Sequence, residues 1–172
     1  MEVRHEPTGG ATSPALHAEQ PRGLRDWLRR VSATHAPAAT VAVRLAVGSI
    51  FLSEGIQKFL YPAALGVGRF AKIGLPAPEM LAPFVGVFEI GCGLLVLVGL
   101  LTRLAAVPLA VVMLVALATT KVPILIEKGF WAMTHEARTD WAMLLGALFL
   151  LLVGAGPLSV DALLAKRALT AR

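Results

Sequence analysis

The sequence predicts an all-α integral membrane protein, a four-helix bundle with both termini cytoplasmic. Composition is the first reason: of 172 residues, 56% are hydrophobic and only 16% charged, with a mean hydropathy of +0.72. A soluble domain of this size carries charge on about a quarter of its residues. The second reason is the distribution of the apolar residues. The stretches 41–60, 80–102, 104–126 and 141–160 together cover half of the chain, and each is long enough to cross a hydrocarbon core about 30 Å thick. Helices satisfy their own backbone hydrogen bonds in lipid, so four such stretches imply a bundle. The third reason is where the basic residues fall, which fixes the expected orientation.

Residues 1–40 are expected to form an N-terminal tail. They hold four of the eleven prolines, three of the four histidines and nine acidic or basic residues, without an early apolar core. They therefore do not read as a cleaved signal peptide and are expected to be retained. Leu24, Trp27, Leu28 and Val31 follow helical spacing, with Arg22, Arg25, Arg29 and Arg30 on the other side. This pattern describes a short basic amphipathic helix, either lying on an anionic leaflet or bridging solvent. Residues 41–160 form the four-span domain and 161–172 a basic C-terminal tail. A second short helix is expected from Ser159 onward, with Asp161 near its start and Lys166 and Arg167 near its end, as the helix dipole favours.

With both termini on one side, that side holds Arg22, Arg25, Arg29, Arg30, Arg103, Lys166, Arg167 and Arg172, against Arg69, Lys72, Lys128 and Arg138 opposite. The positive-inside rule then places the termini in the cytoplasm. A pI near 10.0 is thus largely explained by topology. No nucleic-acid motif accompanies it, so the expected partner is the lipid bilayer and not DNA or RNA.

Charges inside the spans are the functional signal, because one at a helix centre costs about 2.5–3.5 kcal/mol on insertion scales and demands a partner. Segment one, TVAVRLAVGSIFLSEGIQKFLYP, carries Arg44, Glu54 and Lys58 on a single face roughly 80° wide. Glu54 and Lys58 are also an i, i+4 pair, and this set suits either an ion pair locking helix one or a functional role. Segment two holds Glu89 near the bilayer midplane, with Ala82, Gly86 and Gly93 on the same side as a surface for close helix approach. Glu89 is expected to point into the bundle, either protonated or paired with a cation such as Lys58. A proton relay, a quinone pocket, a cation site or a structural hydrogen bond would each use such a carboxyl.

Segment three contains Pro108 and Pro123, where kinks are expected, and Lys121 late in the span. The connection GFWAMTHEARTDWAMLLG reads as a polar loop with His135, Glu136, Arg138 and Asp140 between the interface anchors Trp131 and Trp141. Placing the segments in the membrane brings Glu54, Lys58, Lys121, His135, Arg138 and Asp140 to the extracytoplasmic half, with Glu89 below them. A polar pocket closed toward the cytoplasm is predicted there. Glu89, Glu54 and Lys58 are its candidate proton-handling groups, and Arg44, Lys121, His135, Arg138 and Asp140 its candidate binding groups.

Other patterns carry less. Gly66, Gly68 and Ala71 match a dinucleotide-loop spacing, but no strand precedes them. The HEAR sequence at 135–138 has no second histidine at zinc-protease spacing, and no metal site is expected. Cys92 is the only cysteine, which excludes an internal disulfide, a CxxC redox pair and an iron-sulfur ligand set. Redox chemistry here would need a diffusible carrier or a partner.

The blocks RLAVGSIFLSEGIQKF, GRFAKIGLPAP, FEIGCGLLVLVGLLTR, TKVP and HEARTDWAMLLGALFLLLVGAGPLS resemble the DoxX family of small four-helix bacterial membrane proteins. The resemblance runs from about Arg44 to Asp161 and leaves the leader outside. It carries over Arg44, Gly55, Lys58, Glu89, Gly93 and Arg103 as pattern positions. It implies a bacterial inner-membrane protein, since related members form part of a thiosulfate:quinone oxidoreductase and others are linked to thiol and oxidative-stress complexes. Three classes follow: a quinone-linked redox subunit working with a redox partner subunit, a small-solute carrier that would need a homodimer, and a non-enzymatic membrane scaffold. The first is favoured, with a quinone as its cofactor.

Overall fold

The computed structural model describes residues 37–170, and the amphipathic pattern at 24–31 lies outside them. Among the described residues all regular structure is helical: α1 (Thr40–Leu60), α2 (Val67–Lys72), α3 (Pro78–Val98), α4 (Thr102–Ala116), a π-helical turn (Leu117–Lys121), α5 (Val122–Lys128), α6 (Phe130–Val153) and α7 (Val160–Thr170). Two rods, Pro78–Val98 and Thr102–Lys128, are long and apolar enough to cross a membrane. The other two long helices, α1 and α6, carry the internal charges noted above. Large apolar side chains such as Leu45, Val87, Leu114, Leu145 and Leu152 stand exposed around the long helices, the surface a bilayer would cover.

Glycine sets how closely α1 and α3 approach. A Cβ on Gly93 would lie 2.9 Å from the Leu52 nitrogen and 3.0 Å from the Gly48 carbonyl oxygen. One on Gly55 would lie 2.8 Å from the Gly86 carbonyl oxygen. The two helices therefore run antiparallel almost backbone to backbone, as small-residue faces permit. On the other side, α6 packs along α4, and Gly146 of α6 makes room for Val47 of α1. Val47, Phe51, Val96, Leu109, Leu144 and Leu150 fill the space between the helices at one end.

That end is tied by a buried polar junction. Arg44 is 3% exposed, yet each of its three guanidinium nitrogens donates to a carbonyl. Its Nε donates to the Val96 carbonyl at 3.0 Å, Nη2 to Leu97 at 2.6 Å, and Nη1 to Leu158 at 2.6 Å and Ala155 at 3.2 Å. The guanidinium thus neutralises the carbonyl end of α3 and the 154–159 turn together. Gly99 has φ +71° and its bare α-carbon faces this guanidinium; a Cβ would come within 2.7 Å of Arg44 Cζ. Only glycine meets both demands. Asp161 is 1% exposed. It accepts from the Leu101 and Thr102 N–H groups at 2.8 and 3.2 Å, capping α4 from a distant part of the chain. The same contacts hold Leu101 at φ +49°. Ser159 caps α7 itself by accepting from the Ala162 N–H at 3.2 Å.

Three expected boundaries are corrected. The polar loop around His135 and Asp140 is helical, because no helix breaker falls between Phe130 and the middle of the apolar run; α6 begins eleven residues before the expected position 141. Its end comes early, at Val153, since Gly154 and Gly156 take φ +89° and +83° and Pro157 follows. The segment expected at 80–102 ends at Val98 in the Gly99 turn. Between α4 and α5 the ladder widens to a π-turn instead of only kinking. Pro123 has no N–H and its ring crowds the carbonyl one turn back. Thr119 and Thr120 donate to the Val115 and Ala116 carbonyls at 2.8 and 2.6 Å, satisfying groups near the disruption.

Gly93→Val should lower stability by about 1–3 kcal/mol, because α1 backbone has nowhere to move. Gly91, whose Cβ position is open, is the matched control: Gly91→Val should leave the melting temperature in detergent nearly unchanged.

Candidate functional site

From the tied end the helices diverge around a cavity of about 730 Å³. Its walls come from α1, α3, α4, the π-turn and α6, and the end away from the Arg44 junction is bounded by the 61–77 segment that contains α2. Phe51, Val85, Val112 and Met143 make most of the interior apolar, while Phe70, Ile73 and Leu75 close over the end. Into this apolar space the chain projects Glu54, Lys58, Arg69, Glu89, Lys121, Glu136 and Asp140.

Two ion pairs organise these charges. Lys58 Nζ donates to Glu89 Oε2 at 2.6 Å, with side chains 11% and 2% exposed. Glycine packing makes this pair reachable: Gly55 and Gly86 place the two backbones in contact, one turn of helix from each charge. The partner of Lys58 is thus Glu89 across the interface, not Glu54 along its own helix. Glu54 stands exposed at the cavity wall, close enough to Glu89 for their charges to interact. On the opposite wall Lys121 Nζ lies 3.2 Å from Asp140 Oδ2, joining the π-turn to α6. The π-turn and its two threonines line the cavity directly.

The structure therefore brings together five sequence candidates: Glu54, Lys58, Glu89, Lys121 and Asp140. Three others lie elsewhere. Arg44 belongs to the buried junction at the far end of α1, its donors committed to carbonyls. His135 borders a separate recess of about 460 Å³ with Lys128 and Glu136. Arg138 is exposed and donates to the His135 carbonyl at 2.8 Å. Once 130–140 is a helix, His135 and Arg138 fall on a different side from Glu136 and Asp140. Sequence reasoning had not assigned Arg69 or Glu136 to the pocket, and Arg69 reaches it from α2, a six-residue helix without a long periodic signal. Among the described residues, no three His, Cys, Asp or Glu side chains gather as a metal site.

The arrangement fits a small amphipathic ligand. Pockets for such molecules are typically some hundreds of Å³, mostly apolar, with a few convergent polar groups. Lys58 supplies N–H donors and Glu89 a carboxyl acceptor, both set among mostly apolar walls.

Comparison with known proteins agrees with this architecture. The DoxX family model matches residues 39–122. An uncharacterized membrane protein of Mycobacterium tuberculosis is 52% identical over 148 residues, covering 83% of this chain and 90% of that protein. A Bacillus subtilis protein named "Putative oxidoreductase CatD" is 30% identical over 122 residues, covering 71% of this chain and 84% of its own. No solved structure matches the chain significantly.

Lys58→Met alone should destabilise the protein by about 3–5 kcal/mol, since it strands a buried carboxylate. Lys58→Met combined with Glu89→Leu should recover most of that loss. Unfolding midpoints for the wild type, both single variants and the double variant would measure the coupling.

Proposed function

The chain belongs to the DoxX family of membrane proteins, and from that premise we propose that it is a quinone-binding subunit of a membrane oxidoreductase. In this reading it is a multi-pass inner-membrane protein, crossed by α1, α3, α4–α5 and α6, with both termini cytoplasmic. The observation that carries the reading is the Lys58–Glu89 pair inside a mostly apolar cavity, with Glu89 halfway along α3. A structural ion pair needs no space beside it, whereas this one borders about 730 Å³. The name of the Bacillus subtilis relative points in the same direction.

A quinone headgroup has two carbonyl oxygens and a planar apolar ring, and the residues present fit those features. Lys58 would donate to a carbonyl oxygen, and Phe51, Val85 and Val112 would hold the ring. A bound quinone would supply the two-electron chemistry, taking up two protons on full reduction. Glu89 and Lys58 are the groups placed to hold or pass a proton at the headgroup, with Glu54 next along the wall. Electrons would arrive from a redox partner subunit or its substrate, because a single mid-helix cysteine offers no chain of carriers.

Quinone should be found in an organic extract of the protein purified from its native membrane in mild detergent, near one per chain. A folded Glu89→Gln variant should retain much less. Absence of quinone from the wild type, together with failure to bind an added analogue, would refute the reading and favour a solute carrier or scaffold.

A further inference from the structure

We propose that the cavity is reached sideways from the bilayer, through a portal between α3 and α4 framed by Phe84, Phe88, Val111 and Val115. The inference rests on the quinone-site reading and deepens it: the ligand is a membrane-dissolved amphiphile whose head meets Lys58 and Glu89 while its tail leaves between these two helices.

Exposure and lining coincide at this edge. Phe84, Phe88, Val111 and Val115 all line the cavity, yet they are 58%, 41%, 52% and 45% exposed. A side chain that faces both an interior cavity and the outside belongs to the rim of an opening. The two pairs stand on consecutive turns of facing helices, and all four are apolar, as a passage into hydrocarbon requires. Phe88 is next to Glu89 in sequence, and Phe84 lies one turn further along the same helix. Lining and exposure also coincide between α1 and α6, at Ile50, Glu54, Glu136 and Thr139, but that edge is mostly polar and does not suit a hydrocarbon tail. The end away from the Arg44 junction is covered by a roof in which Phe70 is 8% exposed. The opposite end is sealed by Arg44 and Asp161. α3 and α4 are joined at that sealed end by the Gly99–Leu101 turn, so they are free to spread only toward the portal.

Such geometry sorts ligands by tail. A tailed molecule gains apolar contact along the portal, whereas a headgroup alone needs only the floor of the cavity. Narrowing the gap should therefore affect one and spare the other.

The test uses the full chain in lipid nanodiscs, with radiolabelled decyl-substituted benzoquinone and the same benzoquinone ring without the tail as probes. Val111→Trp narrows the portal. Leu114→Trp, on the same helix but outside the cavity lining, is the control. Val111→Trp should weaken binding of the tailed probe at least roughly tenfold and change that of the tailless probe less than about twofold, while Leu114→Trp alters neither. Equal effects of Val111→Trp on both probes, no effect on either, or the same loss from Leu114→Trp would overturn the portal while leaving the binding site in place. If the wild type binds neither probe, the quinone reading itself fails and the portal with it.

Discussion

A carboxyl halfway along an apolar helix must be either protonated or met by a counter-charge, and the rest of this structure is arranged so that Lys58 can meet Glu89. The meeting depends on glycine. Side chains at Gly55 or Gly86 would push α1 and α3 apart, and the lysine could then reach its partner only through solvent or lipid. Close backbone contact and a buried ion pair are thus two aspects of one interface. Removing the pair symmetrically would cost little, because replacing both buried charges by apolar groups is often neutral. A charged pair beside an open cavity is therefore better explained by what the cavity holds than by stability.

The two ends of the bundle solve different problems. At the Arg44 end, charge ties the chain. One guanidinium gathers four carbonyls from α3 and the 154–159 turn, and Asp161 caps the start of α4. Every guanidinium nitrogen of Arg44 and both oxygens of Asp161 are engaged with backbone groups. At the Glu89 end the ion pairs leave space between them, with Lys58–Glu89 on one wall and Lys121–Asp140 on the other. The π-turn is part of this difference. By widening α4 before Pro123 it carries Thr119, Thr120 and Lys121 onto the cavity surface. Rigidity at one end allows an opening at the other without loss of the fold.

Much of this could be read from the sequence, for identifiable reasons. Glu89 stands out because nothing else within its apolar run is charged, and Gly86 and Gly93 mark the face through which a partner arrives. Lys58 follows as the cation on the facing helix whose long side chain can reach down to it. The DoxX resemblance rested on the same helices, and the family match covers residues 39–122. Less legible were features made by contacts distant in sequence. Arg44 reads as a pocket residue when only its helical phase is considered, since its carbonyl partners lie 52 to 114 positions away. Asp161 reads as a favourable charge on its own helix, and its capping of α4 appears only when the chain returns. The stretch from His135 to Asp140 was expected as a loop because polarity suggested an interface. Polarity does not end a helix, however, and Gly154 with Pro157 does.

On this reading the Lys58–Glu89 pair forms the polar floor of a ligand site inside the membrane. A structure determined after extraction directly into native-lipid nanodiscs would test this most directly. Density for a non-protein headgroup should lie within hydrogen-bonding distance of Lys58 Nζ or the Glu89 carboxyl, with apolar walls around it. A cavity collapsed onto its own side chains, or holding only water beside an intact ion pair, would contradict it.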